Sequence, residues 1–309
     1  MTALHFNAEL PDDERRRRIH AGDLFVLPPN PATTALVDWA REMLAEAFAP
    51  HDPREAQFHM PVERFVEVFA PVKPAFIHHP RTRKLPGDVL AAAGCRPEAT
   101  YLDVPRLRGV TSDAYLTCGV GFAHHPHRDT WYSAPMAQLN WWLPIYAFDA
   151  DGAMAFHPRY WSAAVSNRSD AFNYYEWNAN GRKEAAKHIH GDTRVQPRPE
   201  VPVELEPDVR VVCPVGGVIL FSGAHLHSTV PNTSGRTRFS IDFRTVNVDD
   251  LRSGAAAPNM DSRPQGAALR DFTRTSDGAA LDEELVARLD DGTHAAAAGL
   301  LVYTPGGPA

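Results

Sequence analysis

The stretch FSGAHLHSTVPNTSGRTRFSIDFRTV, residues 221–246, decides the fold. Phe221 to Pro231 is an apolar, histidine-bearing strand, Pro231-Asn232 breaks it as a turn, and Thr237 to Val246 resumes with β-branched and aromatic residues. Upstream, runs of the same character are separated by Pro, Gly, Asn and Asp. They are Thr100 to Val104, Ala114 to Val120, Gln138 to Tyr146, Ala153 to His157, Val209 to Cys213 and Gly217 to Ser222. Strands this short, at this spacing, predict a sandwich or a barrel.

Outside this region the periodicity changes. Ala32 to Phe48 places Leu36, Trp39, Ala40, Met43, Leu44 and Ala47 at helical spacing, entered through Pro-Pro-Asn-Pro and closed by Pro50. Val62 to Phe69 and Gly87 to Ala93 read as shorter helices. The expectation is one structural domain: a helical N-terminal layer over 1–99, a β core over 100–250, and a partly mobile tail over 251–309 with one helix near Leu281 to Leu289. Within the core, residues 158–207 form a polar, aromatic-rich insertion, too long for an idle connection and suited to a lid or substrate loop.

Composition bounds the partners. The chain has 309 residues, 44% hydrophobic and 22% charged, which is ordinary for a globular protein with a sizeable core. A net charge of -7 excludes a general affinity for nucleic acid or anionic membrane. The run Arg15-Arg16-Arg17-Arg18 follows Asp12, Asp13 and Glu14 and reads as a solvated, self-compensated face. Three dispersed cysteines, Cys95, Cys118 and Cys213, argue against a disulfide framework and suit a reducing cytoplasm. Met1 to Leu10 has no secretory pattern, and no run approaches the roughly 18 apolar residues of a spanning helix. A cytoplasmic, unanchored protein is expected, with its oligomeric state open.

The chemistry is concentrated in two places. On an extended segment side chains alternate, so His127 and Asp129 of His127-Arg128-Asp129 project to one face and can converge on one ion. A third ligand must come from elsewhere, and His225 and His227 share a face of the apolar strand, so either could supply it. Two imidazoles and one carboxylate leave half of an octahedral iron(II) open. In Arg238-x-Ser240 a guanidinium and a hydroxyl fall on one face, a pairing suited to a buried carboxylate.

The pattern His127-x-Asp129, then His227-Ser228-Thr229-Val230-Pro231-Asn232-Thr233-Ser234 and Arg238, resembles the iron(II)/2-oxoglutarate-dependent oxygenases. It is most similar to their phytanoyl-CoA dioxygenase-like branch, which carries a distal His five residues before an Asn-x-Ser turn and an Arg eleven residues after that His. The resemblance covers Ala114 to Val246, and the Asn232 offset selects His227 over His225. The stretch Gly152 to Pro158 departs from the branch's Asn-Gly-then-Pro-Gly-Ser-His pattern, which sets acyl-CoA substrates aside.

The resemblance implies a mainly β protein with flanking helices, built as a double-stranded β-helix (a cupin-like jelly roll). It further implies that His127, Asp129 and His227 hold Fe(2+), and that 2-oxoglutarate and O2 are co-substrates. Arg238 with Ser240 would anchor the co-substrate, and the reaction would hydroxylate or otherwise oxidise an unactivated C–H bond. Related halogenases have Gly or Ala in place of the carboxylate, so Asp129 favours hydroxylation, or a desaturating or ring-forming variant, over halogenation. Gln138, Asn140 and Trp142 share one strand face, and the two amides could orient co-substrate or substrate. For a small amphipathic or ring-containing substrate the candidate contacts are Trp131, Trp142, Arg159 and Tyr175, with Lys183 as a further cation on the insertion. Two other readings are a cupin-like metalloenzyme independent of 2-oxoglutarate and a non-catalytic jelly-roll binding module. Against the second, a core-facing carboxylate is costly to bury without a cation.

Overall fold

The structure is a computed structural model that describes residues 2–121, 125–181, 187–189, 191–194, 196–290, 292–297 and 300–305. In chain order its elements are β1 (Leu4–Phe6), α1 (Asp12–His20), β2 (Leu24–Leu27), α2 (Pro31–Phe48), α3 (Val62–His78), α4 (Pro80–Ala92), β3 (Thr100–Leu102), β4 (Arg106–Val110), β5 (Leu139–Pro144) and β6 (Met154–Phe156). There follow α5 (Tyr174–Glu176), β7 (Val209–Arg210), β8 (Val218–Ser222), β9 (His227–Thr229), β10 (Arg238–Asn247), α6 (Val248–Ser253), β11 (Thr273–Arg274), α7 (Glu283–Leu289), β12 (Gly292–Ala297) and β13 (Leu300–Pro305).

The long strand β10 organises the molecule. Its residues alternate, Phe239, Ile241 and Phe243 to one side and Arg238, Ser240, Asp242 and Arg244 to the other, with the period of two that a strand imposes. The apolar set is fully buried against α2 and α3, where Phe239 meets Phe69 edge to face at 5.5 Å between ring centres and Phe48 at 6.1 Å. Each such phenylalanine contributes roughly 1.5–3 kcal/mol by leaving water. The polar set lines a cavity on the opposite face. On one edge β10 pairs with β5, and on the other with β4 and then β3. The main sheet runs β1-β2-β8-β5-β10-β3-β11, with β4 also on β10; β1 and β2 are parallel and the remaining pairs antiparallel.

A second antiparallel sheet, β7-β6-β9, packs on the first. Leu24, Val26, Trp142, Ile219 and Phe221 of the main sheet meet Met154 and Phe156 of the small one in a single buried cluster. Phe156 and Phe221 stand edge to face with ring centres 4.9 Å apart. The site lies between these two sheets.

Helix α2 starts as its sequence dictates. Asn30 caps it by accepting from the Ala32 and Thr33 amides at 2.9 and 3.0 Å, and Pro31 occupies the first turn, where its missing N–H costs nothing. Helix α3 runs past the expected stop at Phe69 and through Pro71 and Pro74. Each proline forfeits a backbone bond, and the burial of Phe65, Phe69, Val72 and Phe76 outweighs that loss.

Several expectations are corrected. Ala114 to Val120 is not a strand, because Asp113 and Ala114 adopt positive φ of 54° and 56° and turn the chain. Two strands, β1 and β2, lie in the segment expected to be helical, each too short to show a period. Only half of the arginine run is a solvated face: Arg17 and Arg18 are turned outward beside Glu14, but Arg15 and Arg16 are buried, with Asp12 between them and Asp250 2.7 Å from the Arg16 Nε. The segment expected as a partly mobile tail is anchored as far as Val286. There Leu251, Leu269, Phe272, Leu285 and Val286 pack on Ala99, Tyr101 and Val246. Among the described residues no helix is long and apolar enough to cross a membrane.

Candidate metal centre

A single antiparallel bridge brings the two halves of the sequence pattern together. The His127 amide donates to the His227 carbonyl at 3.0 Å and the reverse bond is 2.9 Å, which sets the imidazoles side by side with centres 4.3 Å apart. In each ring Nδ1 faces a carbonyl two residues back: His125 O at 2.8 Å from His127, and His225 O at 2.9 Å from His227. A neutral imidazole then donates through Nδ1 and presents the Nε2 lone pair, the tautomer a metal requires.

Arg128 is extended, with φ -107° and ψ 142°, so the Asp129 side chain returns to the face of His127 before the chain enters a short 3-10 turn. The Asp129 Oδ1 lies 3.4 Å from the His127 Nε2 and 3.8 Å from the His227 Nε2. Its Oδ2 is turned away and accepts from the Asn140 Nδ2 at 2.8 Å and the Gln138 Nε2 at 3.2 Å. One atom from each of the three residues lies within 4.8 Å of the others, the spread that a single ion can bridge.

The electrostatics suit a cation. Burial would raise the Asp129 carboxyl, but its contacts with His127, Arg244 and His227 outweigh that and hold it well below the usual carboxylate range. Burial, with repulsion from His127, pushes His227 down to about 3, so that it stays neutral and ready to ligate at physiological pH.

Arg128 faces the other way and ties the loop down. Its guanidinium donates to the Ala224 carbonyl at 2.6 Å, to the Tyr160 and Ala163 carbonyls at 2.7 and 3.0 Å, and to the Asp261 carboxylate at 3.1 Å. Asp261 also accepts from the Trp131 indole at 2.7 Å.

The triad opens onto a cavity of about 440 Å³, within the range of small-molecule sites. Arg238 and Ser240 line it from β10. Arg238 is 9% exposed, donates one Nη to the Gly152 carbonyl at 2.6 Å and lies 5.4 Å from the Trp142 ring centre. Its Nε and the Ser240 Oγ are buried without a hydrogen-bond partner among the described residues. Two adjacent buried donors in this state fit a ligand oxyanion, since leaving them unmet costs about 1–3 kcal/mol each. Further along the strand, Arg244 lies among Asp242, Asp103 and Asp129 at 3.1, 3.6 and 3.8 Å.

Of the remaining sequence candidates, Gln138, Asn140 and Trp142 line the cavity, with the two amides committed to Asp129 and the indole beneath Arg238. Trp131, Arg159 and Tyr175 do not line it. Trp131 is fully buried against Val165 and Leu226, because the 3-10 turn after Asp129 ends the strand alternation. Arg159 is exposed and pairs with Glu204 at 2.7 Å, and the Tyr175 hydroxyl is turned to Asp290 at 2.8 Å. His225 points out of the site, with its Nε2 donating to the Gly22 carbonyl at 3.0 Å. Lys183 lies outside the described residues. Sequence reasoning gave no site role to Arg244, to Lys73 or to Arg108, all of which line the cavity. For Arg244 a signal was present, since it shares parity with Arg238 and Ser240 on β10.

No family model and no curated protein matches the chain. Among solved structures it is similar to EvdO2 from Micromonospora carbonacea var. aurantiaca, with 13% identity over 84% of this chain and 97% of that one, at a TM-score of 0.42. It is similar also to the non-haem alpha-ketoglutarate-dependent epimerase SnoN from nogalamycin biosynthesis, with 15% identity, 84% and 98% coverage and a TM-score of 0.38. A third is the apo form of the non-haem monooxygenase ThoJ, with 16% identity, 81% and 77% coverage and a TM-score of 0.38. TM-scores of this size carry no argument about function, so the functional reading stands on the site's own geometry.

Proposed function

We propose that the protein is a non-haem iron(II)- and 2-oxoglutarate-dependent oxygenase of the phytanoyl-CoA dioxygenase-like type, a single jelly-roll domain that oxidises an unactivated C–H bond of a small ring-containing or amphipathic metabolite. One observation supports this reading above the rest. A two-histidine, one-carboxylate cluster shares a cavity with a buried arginine and serine whose Nε and Oγ have no partner among the described residues.

His127, His227 and the Oδ1 of Asp129 would hold the metal on one face, leaving the cavity side open. When bound, iron(II) with 2-oxoglutarate and dioxygen supplies the oxidising power for C–H cleavage, and the co-substrate leaves as succinate and carbon dioxide. Arg238 and Ser240 bind the remote co-substrate carboxylate, an arginine fork being the geometry that matches it. Gln138 and Asn140 fix which Asp129 oxygen faces the metal. The apolar walls from Trp142, Phe221 and Met154 keep bulk water from this end. Residues 158–207 serve as the substrate loop, since Phe172, Tyr174 and Trp177 reach the cavity from it.

The test is release of labelled carbon dioxide from 1-labelled 2-oxoglutarate by iron-loaded protein without added substrate. The expected result is slow uncoupled turnover that His227→Ala abolishes. No release above that of the variant, with iron shown to be bound, would contradict the proposal.

A further inference from the structure

The cavity is lined by five cations that the proposed chemistry does not use: Lys73 on α3, Arg106 and Arg108 on β4, Arg194 on the insertion and Arg244 on β10. The four arginines each have a carboxylate partner, Asp103 for Arg106 and Asp242 for Arg244. Arg108 bonds Asp242 at 2.6 and 3.3 Å, and Arg194 bonds Asp192 at 2.8 Å through its Nε. Lys73 does not. Its ammonium donates to the Val120 carbonyl at 2.9 Å and lies 5.4 Å from the Phe69 ring centre, and among the described residues no carboxylate is within ion-pair distance of it. Burial, then repulsion from Arg108, pushes the Lys73 amine down to about 7. An anion placed beside it would relieve both effects.

Aromatic surface accompanies the charge. Phe172, Tyr174 and Trp177 line the same cavity, and the Arg194 guanidinium lies over the Trp177 ring at 5.0 Å. A flat apolar body can rest on these rings while an oxyanion meets the ammonium.

We propose that this part of the cavity binds a ring-bearing substrate through an anionic group, a carboxylate or similar oxyanion, with Lys73 as its principal contact and Arg194 stacked on Trp177 beside it. The inference rests on the reading of the cavity as the oxygenase's substrate site. It moves the anion contact from Arg159, which pairs with Glu204 outside the cavity, to Lys73.

The test uses naphthalene-2-carboxylate and naphthalene-2-carboxamide, close in size and different in charge, titrated calorimetrically into the whole chain with saturating 2-oxoglutarate under anaerobic conditions. The expected result is carboxylate binding at least tenfold tighter than carboxamide binding. Lys73→Met should remove that preference while leaving the carboxamide within twofold, and Lys73→Arg should keep most of it. Equal affinities, no carboxylate binding at millimolar concentration, or a preference that survives Lys73→Met would overturn the inference. Loss of the preference in Arg238→Met but not in Lys73→Met would place the probe in the co-substrate pocket, overturning this inference and leaving the oxygenase reading intact. Failure of 2-oxoglutarate itself to bind would count against the oxygenase reading, and the probe pair would still decide the anion site without it.

Discussion

Asn140 donates a 2.8 Å hydrogen bond to the Oδ2 of Asp129, the oxygen turned away from the two histidines. That bond fixes the carboxylate's rotation and leaves Oδ1 facing the imidazoles. Asn140→Ala should therefore lower iron(II) affinity by about 10–100-fold, the usual effect of losing such a support, while the cluster's residues all remain. Gln138→Ala should do less, because its bond to the same oxygen is longer at 3.2 Å. Competition with a chelator measures both, and unchanged affinity in Asn140→Ala would remove the amide from the account.

Arg238 is a buried cation with one carbonyl partner, and burial pushes it down to about 10. With no anion beside it, such a cation burdens the fold. Arg238→Met should leave the thermal midpoint unchanged or higher, yet weaken 2-oxoglutarate binding by at least a hundredfold. Opposite signs for stability and binding are the signature sought. A variant that melts markedly lower would show that the guanidinium is structural.

Arg128 joins the His127–Asp129 loop to the turn before His227, to the root of the insertion and to Asp261. Arg128→Met leaves the Asp261 carboxylate buried beside one fewer cation, so a loss of about 3–5 kcal/mol is expected in denaturant unfolding. Replacing Asp261 by Asn in the same chain should recover part of it, because the pair's costs are not additive. A strictly additive double variant would contradict the coupling.

His157 is 1% exposed, with its ring nitrogens at 3.1 Å from the Leu205 carbonyl and 3.0 Å from the Ser228 hydroxyl. Burial lowers its folded-state pKa below the ordinary value of 6.5. The unfolded chain then binds more protons as pH falls through that value, so stability declines toward acid and is fully present above it. Unfolding midpoints at pH 7.5 and 5.5 should differ less in His157→Gln than in the parent, and an equal difference would acquit this residue.

Much of the candidate metal centre was legible in sequence because it depends on local rules. Alternation through an extended Arg128 put His127 and Asp129 on one face, and alternation on β10 put Arg238 with Ser240. The same rule failed one step later. Trp131 follows Asp129 by two residues, but the intervening 3-10 turn buries it against Val165 and Leu226. Alternation also could not tell whether His225 or His227 lies beside His127; the backbone bridge places His227 there, and that is a long-range fact. The roles of Asn140 and Gln138 were half visible: their shared face was readable, but not that Asp129 is their acceptor. In the fold, β1 and β2 were too short to carry a period, and the burial of Arg15 and Arg16 follows from Asp250, which lies far along the chain.

The most direct measurement of the central claim is anaerobic titration of metal-free protein with iron(II) and then 2-oxoglutarate, followed in the visible region. A weak charge-transfer band is expected that needs both additions, is absent in His127→Ala, and requires far more co-substrate in Arg238→Met. Iron binding with no band at any co-substrate concentration would contradict the assignment.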